Sequence, residues 1–144
     1  MISTVTLNTS IDKAYQLACP LVDGTVMRVS TCIDNAGGKG LNAARAVATR
    51  CCINVLEPDG RSTEFLEPGR AVSGSEVAAV RAKVAEVAAR ADVVTFDGSA
   101  PTGAGDDIYR ELVAIVREGG KPCILDTSGK LLVGSLAARP TMIK

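Results

Sequence analysis

Short apolar runs alternate with amphipathic stretches along the chain. Residues 2–7 are β-branched and apolar, a pattern that predicts a buried strand. Between residues 73 and 91, valines recur at positions 77, 80, 84 and 87 with charged residues between them, which predicts a helix with one apolar face. Ser73 and Glu76 have the spacing of a capping box at the start of that helix.

The second half of the chain continues the same alternation. Apolar runs at residues 93–96 and 123–125 predict two short strands, and residues 106–118 and 130–138 predict the helices that follow them. Residues 141–143 begin a last strand. Because short apolar strands are separated by helices, the pattern predicts an α/β protein with a parallel sheet and right-handed crossovers.

Two pairs of extended segments precede the long helix. Residues 13–21 and 25–33 are joined by Asp23 and Gly24, a strong signal for a tight hairpin. Residues 53–56 and 63–66 flank a Pro-Asp-Gly turn in the same way. These segments predict antiparallel strands that form a separate small sheet, at approximately residues 13–33 and 53–66.

A glycine-rich loop, DNAGGKG at residues 34–40, precedes a predicted helix over residues 41–50. Glycines let a ligand approach the backbone, and a helix N-terminus offers free N–H groups to hydroxyl or phosphate oxygens. Lys39 adds a cation, Asn42 can donate and accept, and Asp12 at a strand end can accept from sugar hydroxyls. A plain glycine turn is the alternative, and the spacing of a Walker A loop is absent.

Composition narrows the function classes for this chain of 144 residues, which suits one domain. Sixteen basic and sixteen acidic residues give no net charge, which argues against nucleic-acid or membrane partners held by bulk charge. The absence of histidine excludes Ser-His-Asp triads and histidine metal sites. With neither a signal peptide nor an apolar membrane span, and five cysteines without a C-x-x-C pair, the sequence predicts a cytoplasmic protein. The adjacent Cys51 and Cys52 have a redox or metal pair as their alternative interpretation.

Several motifs occur in the order typical of one family: TVTLNTSIDKAY, DNAGGKGLNAARAVA, NVLEPDG, FDGSAPTG, ILDTSG and MIK. With them, the sequence resembles the ribokinase-like carbohydrate kinases of the PfkB type, in the branch of 1-phosphofructokinase and tagatose-6-phosphate kinase. The resemblance implies an α/β three-layer sandwich with a mainly parallel sheet, here as a single, incomplete domain over residues 1–144. The two hairpins would then form a small β-sheet lid over the sugar site.

The resemblance also implies an activity, the ATP-dependent transfer of a phosphoryl group to a ketohexose phosphate such as fructose 1-phosphate or tagatose 6-phosphate. ATP and Mg²⁺ would be the cofactors. The positions that match the family's phosphosugar-binding residues are Asp12, Gly37, Gly38, Lys39 and Asn42, with Gly98 and Ser99 near the same cleft. Lys144 matches a lysine that approaches the nucleotide phosphates.

The sequence departs from the family pattern in three places. The nucleotide half that follows Lys144 in the family, and a βα stretch near Cys51 and Cys52, are absent from these residues. The arginine that grips the substrate phosphate has no clear counterpart, because Cys52 stands at its position and Arg50 lies two residues earlier. The alternative is therefore a non-catalytic remnant that binds a sugar phosphate or a protein partner. Self-association through the lid or an uncovered sheet edge is a further expectation.

Gly103, Ala104, Gly105 and Asp106 spell the family's catalytic anion-hole motif, whose aspartate is the base. However, the surrounding residues align without gaps on a different family segment, so we interpret Asp106 as a look-alike and as a helix N-cap. No catalytic residue and no metal ligand is therefore assigned. Two carboxylates remain open: Asp97 either repels a phosphate or accepts a hydroxyl, and Asp126 either faces a ligand or caps a turn.

Overall fold

The computed structural model describes residues 1–23, 25–37, 50–67 and 70–144. The helix expected over residues 41–50 lies outside the described residues except for Arg50, which belongs to a strand, so the expectation is wrong at that residue. In chain order the elements are β1 (Ile2–Thr6), β2 (Ser10–Gln16), β3 (Thr31–Gly37), β4 (Arg50–Leu56), β5 (Ser62–Leu66), α1 (Gly74–Arg90), β6 (Val93–Asp97), α2 (Ile108–Glu118), β7 (Cys123–Asp126), α3 (Gly129–Ser135) and β8 (Met142–Ile143).

The main sheet is parallel and has the strand order β1-β6-β7-β8. The helices α2 and α3 connect β6 to β7 and β7 to β8, as short apolar strands separated by helices predict. Helix α1 has the expected capping box, in which the Ser73 side chain accepts from the Glu76 backbone N–H. Arg70 and this cap lower the pKa of Glu76 to about 2.

The second sheet has the order β3-β2-β4-β5 and forms the expected separate unit, which we call the lid sheet. Strands β2 and β4 are parallel and join the two antiparallel pairs, so the lid sheet is mixed. Gln16 pairs with Thr31 at the end of β2 and β3. The tight hairpin predicted at Asp23 and Gly24 is therefore wrong, since a longer connection over residues 17–30 joins these strands. The turn between β4 and β5 lies where it was predicted, with Gly60 at φ 88°.

The hydrophobic core lies between the main sheet and its helices. Val94, Phe96, Cys123 and Leu125 are fully buried on one face of the sheet, against Val84 of α1 and a row of apolar residues of α2. Alternate residues of a strand share one face, and residues at i, i+3 and i+4 of a helix share one face. The sheet and the helices therefore enclose the core from two sides. Burial in this core raises the pKa of the Cys123 thiol to about 12, so the thiol is inert at neutral pH.

The opposite face of the main sheet is open in the part of the chain that the structure describes. Ile2 and Met142 lie on this face and are 72% and 60% exposed. The described helices pack on the other face, so a second helical layer of a sandwich is not formed by the described residues. Within the described ranges, no helix combines the length and the apolar character needed to cross a membrane.

Candidate functional site

An open cleft of about 620 Å³ lies between the lid sheet and the ends of two main-sheet strands. Thr6, the last residue of β1, and Asn8 line it on one side of this edge, and Gly98 and Ser99 line it after β6. Parallel strands have their carboxyl ends at one edge of a sheet, and open α/β sheets bind ligands at that edge. The lid sheet supplies the rest of the lining, including Ser10, Asp12, Asn35, Arg50, Cys52, Asn54 and Glu64.

Strand alternation explains which lid residues face the cleft. Successive side chains of a strand point to opposite faces of its sheet. Asp12 lies directly opposite Asn35 on one side and Cys52 on the other, and all three line the cleft. Two residues earlier on each strand, and therefore on the same face, Ser10 lies opposite Arg50. Most lid residues that line the cleft are polar, although Ala14, Ile53 and Leu66 also line it, whereas Tyr15 and Val55, which lie opposite each other, occupy the outer face.

Asp12 is held by its neighbour on the same face. Ser10 is 2% exposed, and its hydroxyl donates to Asp12 Oδ1 at 2.7 Å. Of the two carboxylate oxygens of Asp12, Oδ1 is the one with a hydrogen-bond partner among the described residues. The carboxylate therefore keeps acceptor capacity for hydroxyl groups in the cleft. The side chain of Asp12 is exposed, as a group that binds a ligand from solution must be.

Arg50 brings a cation to the same face. Its Nη1 donates to the backbone oxygen of Glu67 at 3.2 Å, which orients the guanidinium. Its Nε is buried and has no hydrogen-bond partner among the described residues, an unusual state for a charged donor. The hydroxyl of Thr6, which also lines the cleft, is likewise buried and unpartnered within the described residues. Arg50 and Thr6 therefore each bring a donor with unused capacity to the lining of the cleft.

Lys13 borders the cleft but is already paired. Its ammonium lies 2.7 Å from Asp34 Oδ2, and the two residues are direct cross-strand partners. Hydrogen bonds from Lys13 and Cys32 lower the pKa of the Asp34 carboxyl, so the pair is charged at neutral pH. Arg50 is thus a better candidate than Lys13 for binding an anion in the cleft.

Tyr109 fixes the main-sheet wall of the cleft. Gly98 has φ 92°, a conformation that favours glycine, and its carbonyl accepts from the Tyr109 hydroxyl at 3.1 Å. The carbonyls of Asp97 and Ser99 lie 3.4 and 3.5 Å from the same hydroxyl. Tyr109 is fully buried, and this burial raises the pKa of its phenol. The hydroxyl therefore remains protonated and holds the turn at residues 97–99.

Replacing Tyr109→Phe is expected to loosen this turn while the ring packing on Phe96 is kept. The loss of one buried hydrogen bond costs about 1 kcal/mol of unfolding free energy, to be measured by chemical denaturation. Affinity for a cleft ligand should fall severalfold as well. Tyr15→Phe is the matched control, because Tyr15 is the other tyrosine of the chain and lies on the outer face of the lid sheet. Equal effects of the two changes would contradict this role of Tyr109.

The structure places the residues proposed from the sequence in several locations. Asp12, Gly98 and Ser99 line the cleft together. Gly37 lies at the end of β3, opposite Ser10, whereas Gly38, Lys39 and Asn42 lie outside the described residues. The Asn8 side chain donates to the Ser99 hydroxyl at 3.0 Å and so links the segments that follow β1 and β6.

Lys144 lies elsewhere, along the same edge of the main sheet. Its ammonium is 3.5 Å from Asp126 Oδ2, and its backbone N–H donates to the Leu125 carbonyl. Asp126 is a register partner of Asp97, whose carboxylate accepts from the Thr95 hydroxyl at 3.0 Å. Asp97 and Asp126, whose roles the sequence left undecided, therefore both have partners within the protein.

Asp106 lines a different groove, together with Gly103, Gly105 and Leu131. Gly103 has φ 89°, and a Cβ there would lie 2.3 Å from the Val72 carbonyl oxygen, so close packing on Val72 explains this glycine. The expectation that Asp106 caps α2 is wrong, because Asp107 occupies the cap position and makes no side-chain cap hydrogen bond. Asp107 pairs instead with Arg110 at 2.9 Å.

Solved structures similar to this chain include sugar kinases, although no family model matches the sequence. A possible 1-phosphofructokinase from Thermotoga maritima superimposes with a TM-score of 0.85 at 19% identity, over 99% of this chain and 59% of that one. Phosphofructokinase-2 from Escherichia coli, in complex with fructose-6-phosphate, gives 0.79 at 21% identity over 95% and 58%. Ribokinase from Arabidopsis thaliana, with ribose and ATP, gives 0.61 at 15% identity over 91% and 56%.

These similarities define the class of fold. The chain has part of the ribokinase-like α/β fold, with a mainly parallel sheet and a separate lid sheet, as the sequence resemblance implied. More narrowly, its structural neighbours include sugar kinases of the phosphofructokinase type. The chain spans less than three fifths of the length of each of these neighbours.

Proposed function

We propose that the cleft binds a ketohexose phosphate and that this chain is the acceptor-sugar part of an ATP-dependent phosphosugar kinase. Fructose 1-phosphate and tagatose 6-phosphate are the substrates to test first. Asp12 would accept hydrogen bonds from the sugar hydroxyls, and Arg50 would bind the phosphate already on the sugar. Gly98 and Ser99 would contact the sugar from the main-sheet wall. Gly37, Gly38, Lys39 and Asn42 complete this proposed site.

The observation that supports the proposal best is the diagonal arrangement of Asp12 and Arg50 on the cleft face of the lid sheet. They lie on adjacent parallel strands and are two residues apart in register, which corresponds to about 8 Å from strand spacing and rise. A carboxylate accepts from hydroxyls, and a guanidinium binds phosphate oxygens with two parallel donors. A small polyol with one phosphate has both kinds of group at that separation.

ATP and Mg²⁺, which the kinase resemblance implies, do not fit the described residues alone. No group of three or more potential metal-ligating side chains occurs within the described ranges. Lys144, the proposed nucleotide-side residue, is paired with Asp126. Phosphoryl transfer consists mainly of positioning and charge neutralisation, and it needs metal and nucleotide contacts as well as an acceptor site. The described residues would contribute Asp12, Arg50, Gly98 and Ser99 to the acceptor site alone.

A second candidate function follows from the same observation. A chain that has the sugar cleft without a complete nucleotide site would bind a sugar phosphate, or a protein partner, and transfer nothing. The chain covers 59% of the length of the Thermotoga maritima protein, and this partial coverage favours the second candidate for the isolated chain. A test for transfer of phosphate from ATP to the bound sugar phosphate would separate the two functions, because only the kinase would form the product.

Calorimetric titration with fructose 1-phosphate, fructose 6-phosphate and tagatose 6-phosphate tests the proposal. We expect one of them to bind, and Asp12→Ala to weaken binding by roughly 1–3 kcal/mol because hydroxyl hydrogen bonds are lost. Asp106→Ala is the matched control, since Asp106 lines a separate groove. The site is misplaced if Asp106→Ala abolishes binding while Asp12→Ala leaves it intact.

A further inference from the structure

Strand β1 forms one edge of the main sheet, and among the described elements its only strand partner is β6. Its five residues, ISTVT, contain neither a charged residue nor proline. An edge strand presents a row of N–H and C=O groups to solvent, and natural proteins protect such edges with charge, proline or short length. Ile2 and Thr4, on the open face of the sheet, are exposed.

The remaining edges of the described sheets carry that protection. Strand β8, at the other edge of the main sheet, has two residues. The lid sheet ends in β3, which contains Asp34, and in β5, which contains Glu64. Self-pairing of β3 or β5 about these positions would place like charges directly opposite each other, which is destabilising. Self-pairing of β1 has no such penalty.

We propose that β1 is the site at which a second copy of this chain docks. The two β1 strands pair antiparallel about a two-fold axis, which joins the two main sheets into one. The contact is isologous, so each copy contributes the same residues and the assembly closes as a dimer. Because the contact is one short strand on each side, the dimer is weak and depends on concentration.

The register follows from the length of the strand. Pairing centred on Thr4 uses all five residues, with Ile2 opposite Thr6 of the second copy and Ser3 opposite its Val5. Thr4 then lies opposite Thr4 of the second copy at the axis. A charged residue introduced at position 4 therefore lies opposite the same charged residue of the second copy.

Sedimentation velocity over a range of concentrations tests this interface with charged variants. Wild type should dimerise, whereas Thr4→Lys alone and Thr4→Glu alone should raise the dissociation constant by about tenfold or more. An equimolar mixture of the two variants should restore the dimer, because opposite charges then face each other. Thr31→Lys, the same change on the edge strand β3, is the matched control and should leave the dimer unchanged.

Hydrogen exchange measured on the wild type gives a second test, which does not depend on whether any variant folds. Protection of the β1 amides should increase with protein concentration, while that of β3 and β5 stays constant. The proposal is wrong if the wild type is a monomer at all concentrations or if the Lys and Glu variants dimerise separately. It is equally wrong if their mixture stays monomeric, or if concentration-dependent protection appears on β3 or β5 instead of β1.

Discussion

The purified chain of 144 residues is expected to transfer no measurable phosphate from ATP to fructose 1-phosphate, fructose 6-phosphate or tagatose 6-phosphate. Sugar kinases need a nucleotide site, Mg²⁺ and a base, and the described residues contain no group of three or more potential metal-ligating side chains. The function proposed above assigns only the acceptor-sugar site to this chain. A coupled assay for ADP formation checks this result against the usual kinase range of about 1–100 s⁻¹. The expected effect is therefore a loss of several orders of magnitude.

The assay needs a control for its sensitivity and a test of the Asp106 interpretation. A full-length phosphofructokinase in the same assay establishes its sensitivity. Turnover in the usual range that disappears in Asp106→Asn would overturn the expectation. Asp106 would then be the base that its GAGD context suggests, and its separate groove would have to be the reaction site.

Arg50→Gln should cause the largest loss of ligand affinity among single changes in the cleft. Charge-assisted hydrogen bonds to a phosphate contribute roughly 1.5–3 kcal/mol, so the dissociation constant should rise about 10- to 100-fold. The unphosphorylated sugar should bind equally to wild type and variant, because it lacks the group that Arg50 contacts. Calorimetry with both ligands measures the two effects.

Two further variants separate the charge of Arg50 from its structural contact with Glu67. Arg50→Lys keeps the charge without the two-pronged donor geometry and should fall between wild type and Arg50→Gln. Arg28→Gln removes an exposed arginine of the connection between β2 and β3 and should have no effect. An Arg50→Gln variant that binds fructose 1-phosphate as tightly as wild type would contradict the assignment of the phosphate to Arg50.

The main sheet was predictable because its signals are local. The capping box at Ser73 and Glu76, the valine spacing of α1 and the short apolar strands each specify an element from neighbouring residues. The parallel pairing of β2 and β4 was not predicted, since it joins two hairpins that are distant in sequence. The position of the β2–β3 connection also escaped prediction, because a strong Asp-Gly turn signal lies inside a longer loop.

The cleft was predictable in part, and strand alternation explains the remainder. Asp12, Gly98 and Ser99 came from the resemblance, and the structure places them around one cleft. Arg50 lies two residues before Cys52 in the sequence, but it was assigned to a helix, so the strand face that the two residues share was missed. In a strand, residues two positions apart share a face, and Arg50 therefore faces the same cleft as Cys52. The sequence pattern alone does not reveal where a strand begins when a helical pattern directly precedes it, as it does at Arg50.

The most direct test of the account is a map of ligand-induced amide shifts by NMR, with fructose 1-phosphate and tagatose 6-phosphate added in turn. The account predicts shifts at residues 8–13, 50–54 and 98–99, which surround the cleft between the lid sheet and the main sheet. Residues 102–106 should not shift, because they line the separate groove. Shifts confined to residues 102–106, or no shifts with any of the sugar phosphates, would contradict the assignment of a sugar-phosphate site to this cleft.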